Sequence, residues 1–175
     1  MEATSVRAVM TTMVVAVHAG ATYDEIAGAL DSHGVSAVPV VDARTVVIGV
    51  VSEADLLPQV EFAGDDRRPR QPEDRRRALA RAKASGRTAA DLMTEPAITI
   101  APDASIGDAA RLMDARRVKR LPVVTDEGVL VGIVSRCDLL REHRRTSATA
   151  AAVRVFGTPA PARASRRGSA DDWGW

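Results

Sequence analysis

Short apolar runs rich in Val and Ile alternate along the chain with stretches in which apolar residues recur every third or fourth position. The first kind predicts strands and the second predicts amphipathic helices. Val14–Val17 is the first such run, and the turn residues His18–Thr22 follow it. A helix is expected from Thr22, because Thr22-x-x-Glu25 has capping-box spacing and Ile26, Ala27 and Leu30 share one face. Val38–Val41 and Val46–Val51 come next, and the polar turn Asp42–Thr45 between them is a hairpin signal. A second helix begins at Ser52.

The same order recurs further along. Residues 9–57 align without a gap onto 92–140 at a constant offset of 83, and sixteen of the 49 positions are identical. They include Met10-Thr11 with Met93-Thr94, Pro39-Val40-Val41 with Pro122-Val123-Val124, and Gly49 with Gly132. The second copy predicts a strand at Ala97–Ile100, then turn residues Ala101–Ser105. A helix follows, entered through Ser105-x-x-Asp108 with Ala109, Leu112 and Met113 on one face. A hairpin of Leu121–Val124 and Val129–Val134 turns at Thr125–Gly128, and a last helix starts at Ser135. Each unit reads β-α-β-β-α. One unit alone buries too little apolar area to offset its chain entropy, so two must pack together.

The first repeat spans 6–57 and the second 88–145. Residues 58–87 are rich in Arg, Asp and Pro and read as a linker, extended or disordered around Arg67–Pro72 and helical in part over Glu73–Ser85. Residues 146–175 carry Ala, Thr, Ser and Pro without a sustained period and are expected to form a disordered tail, save for a stray strand at Val153–Phe156. The net charge of +1 conceals an asymmetry: 58–87 and 141–175 carry +4 each, which leaves −7 on the rest.

No apolar run approaches the roughly 18–20 residues of a bilayer span, and no signal peptide is readable at the start. The single Cys137 cannot form an internal disulfide, and His18, His33 and His143 are too scattered for a metal site. A cytoplasmic protein without membrane contact or metal is expected. Cys137 takes the place of Ala54 and reads as a small packing residue. His33 sits where a helix end favours a cation.

Three marks recur in order in both copies. They are the leading Val9-Met10-Thr11 and Leu92-Met93-Thr94, the strands Val38-Pro39-Val40-Val41 and Leu121-Pro122-Val123-Val124, and Gly49-x-x-Ser52-x-x-Asp55-Leu56-Leu57 with Gly132-x-x-Ser135-x-x-Asp138-Leu139-Leu140. By these marks residues 6–145 resemble a tandem pair of CBS domains, a Bateman module, of the stand-alone bacterial type. The resemblance implies an α/β fold of the α+β kind, with two β-α-β-β-α repeats packed about a pseudo-twofold axis. It also implies an adenine nucleotide as ligand: AMP, ADP or ATP first, S-adenosylmethionine after them. No cofactor is required.

In such a pair Ser52 and Asp55 would serve one site, and Ser135 and Asp138 a second. A hydroxyl and free N–H groups at a helix start suit a phosphate, and the aspartate can accept from both ribose hydroxyls. The same Ser-x-x-Asp is also simply a helix cap, worth about 1 kcal/mol with no ligand at all. The adenine would lie near Met13, Val14 and Val38, or near Ala97 and Leu121. Ahead of Pro122 stand Lys119 and Arg120, where the first copy has Ser36 and Ala37. Phosphate needs cationic or N–H donors to replace its water. The site of Ser135 and Asp138, backed by Lys119 and Arg120, is therefore expected to be the better equipped.

The leading expectation is a regulatory sensor of energy or metabolite state, a homodimer that binds nucleotide and acts on an unidentified protein partner. A ligand-free structural module, paired as a dimeric disc, is the alternative. Nucleic-acid binding through the Arg-rich linker and tail ranks third, because aromatic content is only 3% and the repeats are net acidic. No catalytic motif is readable, so an enzyme is not expected.

Overall fold

Caps and tight turns divide each repeat into its elements. The computed structural model describes residues 4–61, 78, 83 and 85–146; the expected conformations across most of the linker, and the tail beyond 146, lie outside the described residues. The first repeat holds β1 (Val17–His18), α1 (Tyr23–His33), β2 (Ala37–Val41), β3 (Val47–Ser52) and α2 (Glu53–Glu61). The second holds a single helical turn α3 (Ala89–Leu92), then α4 (Ile106–Ala115), β4 (Arg120–Val124), β5 (Leu130–Ser135) and α5 (Arg136–Thr146). The fold is mixed α/β, built from two copies of one unit. Helix α2 runs through Pro58 to Glu61 rather than stopping at Leu57.

Strand β2 lies between β1, which is parallel to it, and β3, which is antiparallel. Strands β4 and β5 repeat the antiparallel pair, and Ile100 alone bridges Val123 in the place of β1. The expected leading strands are thus cut to two residues and to one. Proline explains the loss. Ile100 N–H donates to the Pro122 carbonyl and Val124 N–H to the Ile100 carbonyl, each at 3.0 Å. The next donor back along this parallel ladder would be the N–H that Pro122 lacks, so pairing stops there. Pro39 holds the same place beside β1.

Helix α1 is closed at its start by a capping box: Glu25 N–H donates to Thr22 Oγ1, and the Glu25 carboxylate accepts from Thr22 N–H. It ends where Gly34 turns left-handed at φ 60°. In the second copy that turn falls to Arg117 at φ 55°, a conformation that costs an ordinary side chain about 1–2 kcal/mol.

The leading segments are exchanged between the repeats. Ala89 and Leu92, from the second copy, complete the core of the first, among Ile26, Leu30, Val38, Val40, Val51 and Leu56. Val6, from the first copy, completes the core of the second, among Ile100, Met113, Leu121, Val123 and Val134. The backbone follows. Ala89 N–H donates to the Ala21 carbonyl and Val6 N–H to the Ala104 carbonyl, both at 2.8 Å. Thr11 bridges Ile133 and Thr94 bridges Val50, pairs that the offset of 83 carries onto each other. Val46 bridges Val129, its own equivalent, on the pseudo-twofold axis. Met10 lies over Gly132 so closely that a Cβ there would come within 2.6 Å of its sulfur, and Met93 covers Gly49 in the same way.

Acidic caps make stability depend on pH. Two hydrogen bonds from Thr22, the backbone one stronger, hold the Glu25 carboxyl below its ordinary 4.5. Those of the Arg87 N–H and of Thr88 hold Asp91 below its ordinary 3.8. The Ser105 hydroxyl, followed by Arg111, does the same for Asp108. A carboxyl lowered on folding stabilises above its unfolded value and loses that contribution as pH falls through its folded value. The urea midpoint is therefore expected to stay level from pH 7 to about 5 and to fall below it. The triple variant Glu25→Gln, Asp91→Asn, Asp108→Asn should flatten the acid limb; an unchanged limb would remove these caps as its cause.

Candidate functional site

Strands β3 and β5 each end in a serine that opens a helix, and the aspartate three residues on folds back against it. Asp55 Oδ2 accepts from Ser52 N–H at 2.8 Å and Ser52 Oγ at 2.6 Å; Asp138 Oδ2 accepts from Ser135 N–H at 2.9 Å and Ser135 Oγ at 2.6 Å. The helix starts are tied to the residues that lead into β2 and β4, since Glu53 N–H donates to the Ser36 carbonyl and Arg136 N–H to the Lys119 carbonyl. Both aspartates are half-buried. Their outer oxygens differ. Asp55 Oδ1 meets the Lys83 ammonium, and neither side chain is more than 17% exposed. Asp138 Oδ1 meets Arg141 at 3.4 Å, a side chain that is 74% exposed.

Beside Ser52 and Asp55 opens a cleft of about 360 Å³ with walls from both repeats. Ser36, Ala37, Val50 and Glu53 come from the first; Thr94, Pro96, Ala97, Ile98, Arg117, Val118, Lys119 and Arg120 come from the second. Arg120 Nη2 crosses to donate to Ser36 Oγ at 2.6 Å. The volume suits a small organic ligand. Ala37, Val50, Ala97, Ile98 and Val118 form an apolar lining for a flat ring. Arg117, Lys119 and Arg120 bring three cations to the cleft, one more than the two carboxylates of Glu53 and Asp55. An anionic group would find matched partners there.

Arg120 lies opposite Ser135 across β4 and β5, but this cleft joins the basic residues to the other serine and aspartate. Lys119 and Arg120 line the cleft with Ser52 and Asp55, whereas Ser135 and Asp138 are not in its walls. The leading strand's remnant crosses between repeats, so Ala97 also faces the first copy's serine and aspartate. Val38 and Leu121 offer no surface to an adenine: both are wholly buried in the two cores. Met13 is 90% exposed and Val14 half-buried, and neither lines this cleft. Cys137, expected to pack, is exposed. His33 closes α1 and stands exposed.

Sequence reasoning missed Arg117, Ser36, Glu53 and Lys83. For Arg117 a signal existed, since it occupies the position of Gly34 under the offset of 83. Among the described residues, no helix is long and apolar enough to cross a membrane, and no group of three His, Cys, Asp or Glu is placed to hold a metal ion.

A family model described as CBS domain matches residues 6–61 and 89–145. An uncharacterized protein of Methanopyrus kandleri is 32% identical over 117 residues, 67% of this chain and 51% of that one. The chain thus spans about half the length of that relative. The CBS domain-containing protein YhcV of Bacillus subtilis is 31% identical over 136 residues, 77% of this chain and 82% of that one. A crystal structure of CBSX2, an Arabidopsis thaliana protein, in complex with AMP superposes with a TM-score of 0.65 at 27% identity, covering 82% of this chain and 98% of that one.

Proposed function

Because the chain belongs to the CBS domain family, we propose that it is a regulatory rather than catalytic module: it binds a phosphorylated adenine nucleotide between its repeats and transmits the resulting change in conformation or assembly to a partner protein. One observation carries this reading. One cleft gathers Asp55, which can accept from ribose hydroxyls, an apolar lining, and the cations Arg117, Lys119 and Arg120. A sugar, a base and a phosphate each find suitable chemistry among these residues.

Arg117 supports the assignment, because it stands in the cleft wall at φ 55°, a costly conformation for which the other copy uses glycine. The AMP bound by CBSX2 is a ligand of the same class. The three cations favour AMP, ADP or ATP over S-adenosylmethionine, whose sulfonium they would repel. Leu57 and Val60 on α2 and Leu140 on α5 are 62, 65 and 63% exposed, and this outward apolar face supports a homodimer formed through these helices.

Thermal unfolding with AMP, ADP, ATP and S-adenosylmethionine tests the binding step. A ligand supplied at about 100 times its dissociation constant should add about 2.7 kcal/mol. A melting temperature that moves with none of the four overturns the nucleotide reading and leaves the ligand-free dimer.

A further inference from the structure

An aspartate has two oxygens and about four lone-pair positions. Two of them on Asp55 Oδ2 are taken by the N–H and hydroxyl of Ser52, and the Lys83 ammonium sits on Oδ1. A ribose diol donates two hydrogen bonds, so Asp55 cannot accept both while Lys83 stays in place. Lys83 does not belong to either copy of the repeat. It lies near the end of the segment that joins them, 28 residues from Asp55, and that end is docked on α2: Gln59 Nε2 donates to the Gly86 carbonyl at 2.5 Å, and Gly86 N–H closes onto the Lys83 carbonyl at 3.0 Å. The equivalent aspartate in the second copy has no such restraint, because its outer oxygen meets Arg141, three residues along its own helix and open to water.

We infer that Lys83 is a latch: the Lys83 and Gly86 contacts with Asp55 and α2, and occupation of Asp55 by a ribose, exclude one another, so that nucleotide binding in the cleft releases Lys83. This rests on the reading that Asp55 holds the ribose. The coupling runs both ways, since whatever opposes the ligand is opposed by it equally. The state of Lys83, outside both repeats, then reports that the cleft is filled. The site of Asp138 is indifferent to it.

The test is AMP binding by calorimetry to the full chain and to its Lys83→Ala and Lys83→Gln variants, each also carrying Asp138→Ala so that one aspartate is read. Hydrogen exchange over residues 83–86 is followed in the unmutated chain with and without AMP. The latch requires both variants to bind AMP several-fold more tightly, and exchange at 83–86 to quicken when AMP is added. AMP affinity that falls or stays level in the variants overturns it, as does slower exchange on binding, which would make Lys83 a ligand contact. If AMP binds neither the parent nor the variants, the ribose reading itself fails and takes the latch with it. The exchange measurement needs no substitution, so a variant that folds poorly still leaves the latch open to refutation.

Discussion

Truncating Leu92 to alanine is expected to lower the unfolding free energy by about 2–5 kcal/mol and to loosen the first repeat, although Leu92 belongs to the second copy of the sequence. Its side chain is wholly buried among Ile26, Leu30, Val38, Val40, Val51 and Leu56. Removing it leaves a cavity that the flanking strands can fill only in part, hence the upper half of that range where the site collapses poorly. Val6→Ala is the mirror experiment, since Val6 is wholly buried among Ile100, Met113, Leu121, Val123 and Val134. Urea unfolding gives the size of each effect, and amide exchange gives its place. Amides of Val38, Val40 and Val51 should exchange faster in Leu92→Ala, and those of Leu121, Val123 and Val134 in Val6→Ala. The opposite pattern would show that each leading segment packs on its own repeat.

The second large effect concerns the basic residues before Pro122. The double variant Lys119→Ala, Arg120→Ala should weaken AMP binding roughly 10- to 100-fold, the equivalent of about 1.5–3 kcal/mol for hydrogen bonds to a charged group. Adenosine offers the same base and sugar without the phosphate, so its affinity should change little. This contrast separates a lost phosphate contact from a disturbed cleft. It is needed because Arg120 also holds Ser36 across the repeats. Equal losses for AMP and adenosine would assign the pair to the cleft's architecture. Arg120→Lys should restore only part of the affinity, because an ammonium lacks the guanidinium's fork of donors.

The repeat was legible because two copies in constant register reinforce each other, and the caps at Thr22 and Ser105 and the hairpins followed from local chemistry. Local chemistry also misjudged the leading strands. Val14–Val17 has every mark of a strand, but its fate is decided by Pro39 on a neighbour that the run itself does not reveal. Which copy a segment packs against was beyond reach for a deeper reason. When two units are nearly interchangeable, the same apolar pattern fits either partner, so Val6 and Leu92 read equally well in their own repeat or in the other. That Lys119 and Arg120 also reach the cleft of Ser52 and Asp55 was hidden for the same reason. Lys83 was hidden differently, as one base among many in an Ala- and Arg-rich stretch where no period marks a residue as placed.

Exchange of the leading segments also sets a timetable for synthesis. At about 5–20 residues per second, the ribosome delivers α2 a second or more before Ala89 and Leu92 arrive, and Val6 waits longer still for the strands that enclose it. Neither half is a nascent folding unit; each holds an open groove shaped for the other's first turn. A gene cut between the copies would therefore not yield two small domains. Two identical halves, however, would meet this need in each other by trading their leading segments across a true twofold axis. The bridge between Val46 and Val129, residues at one position of the unit, lies where that axis would pass.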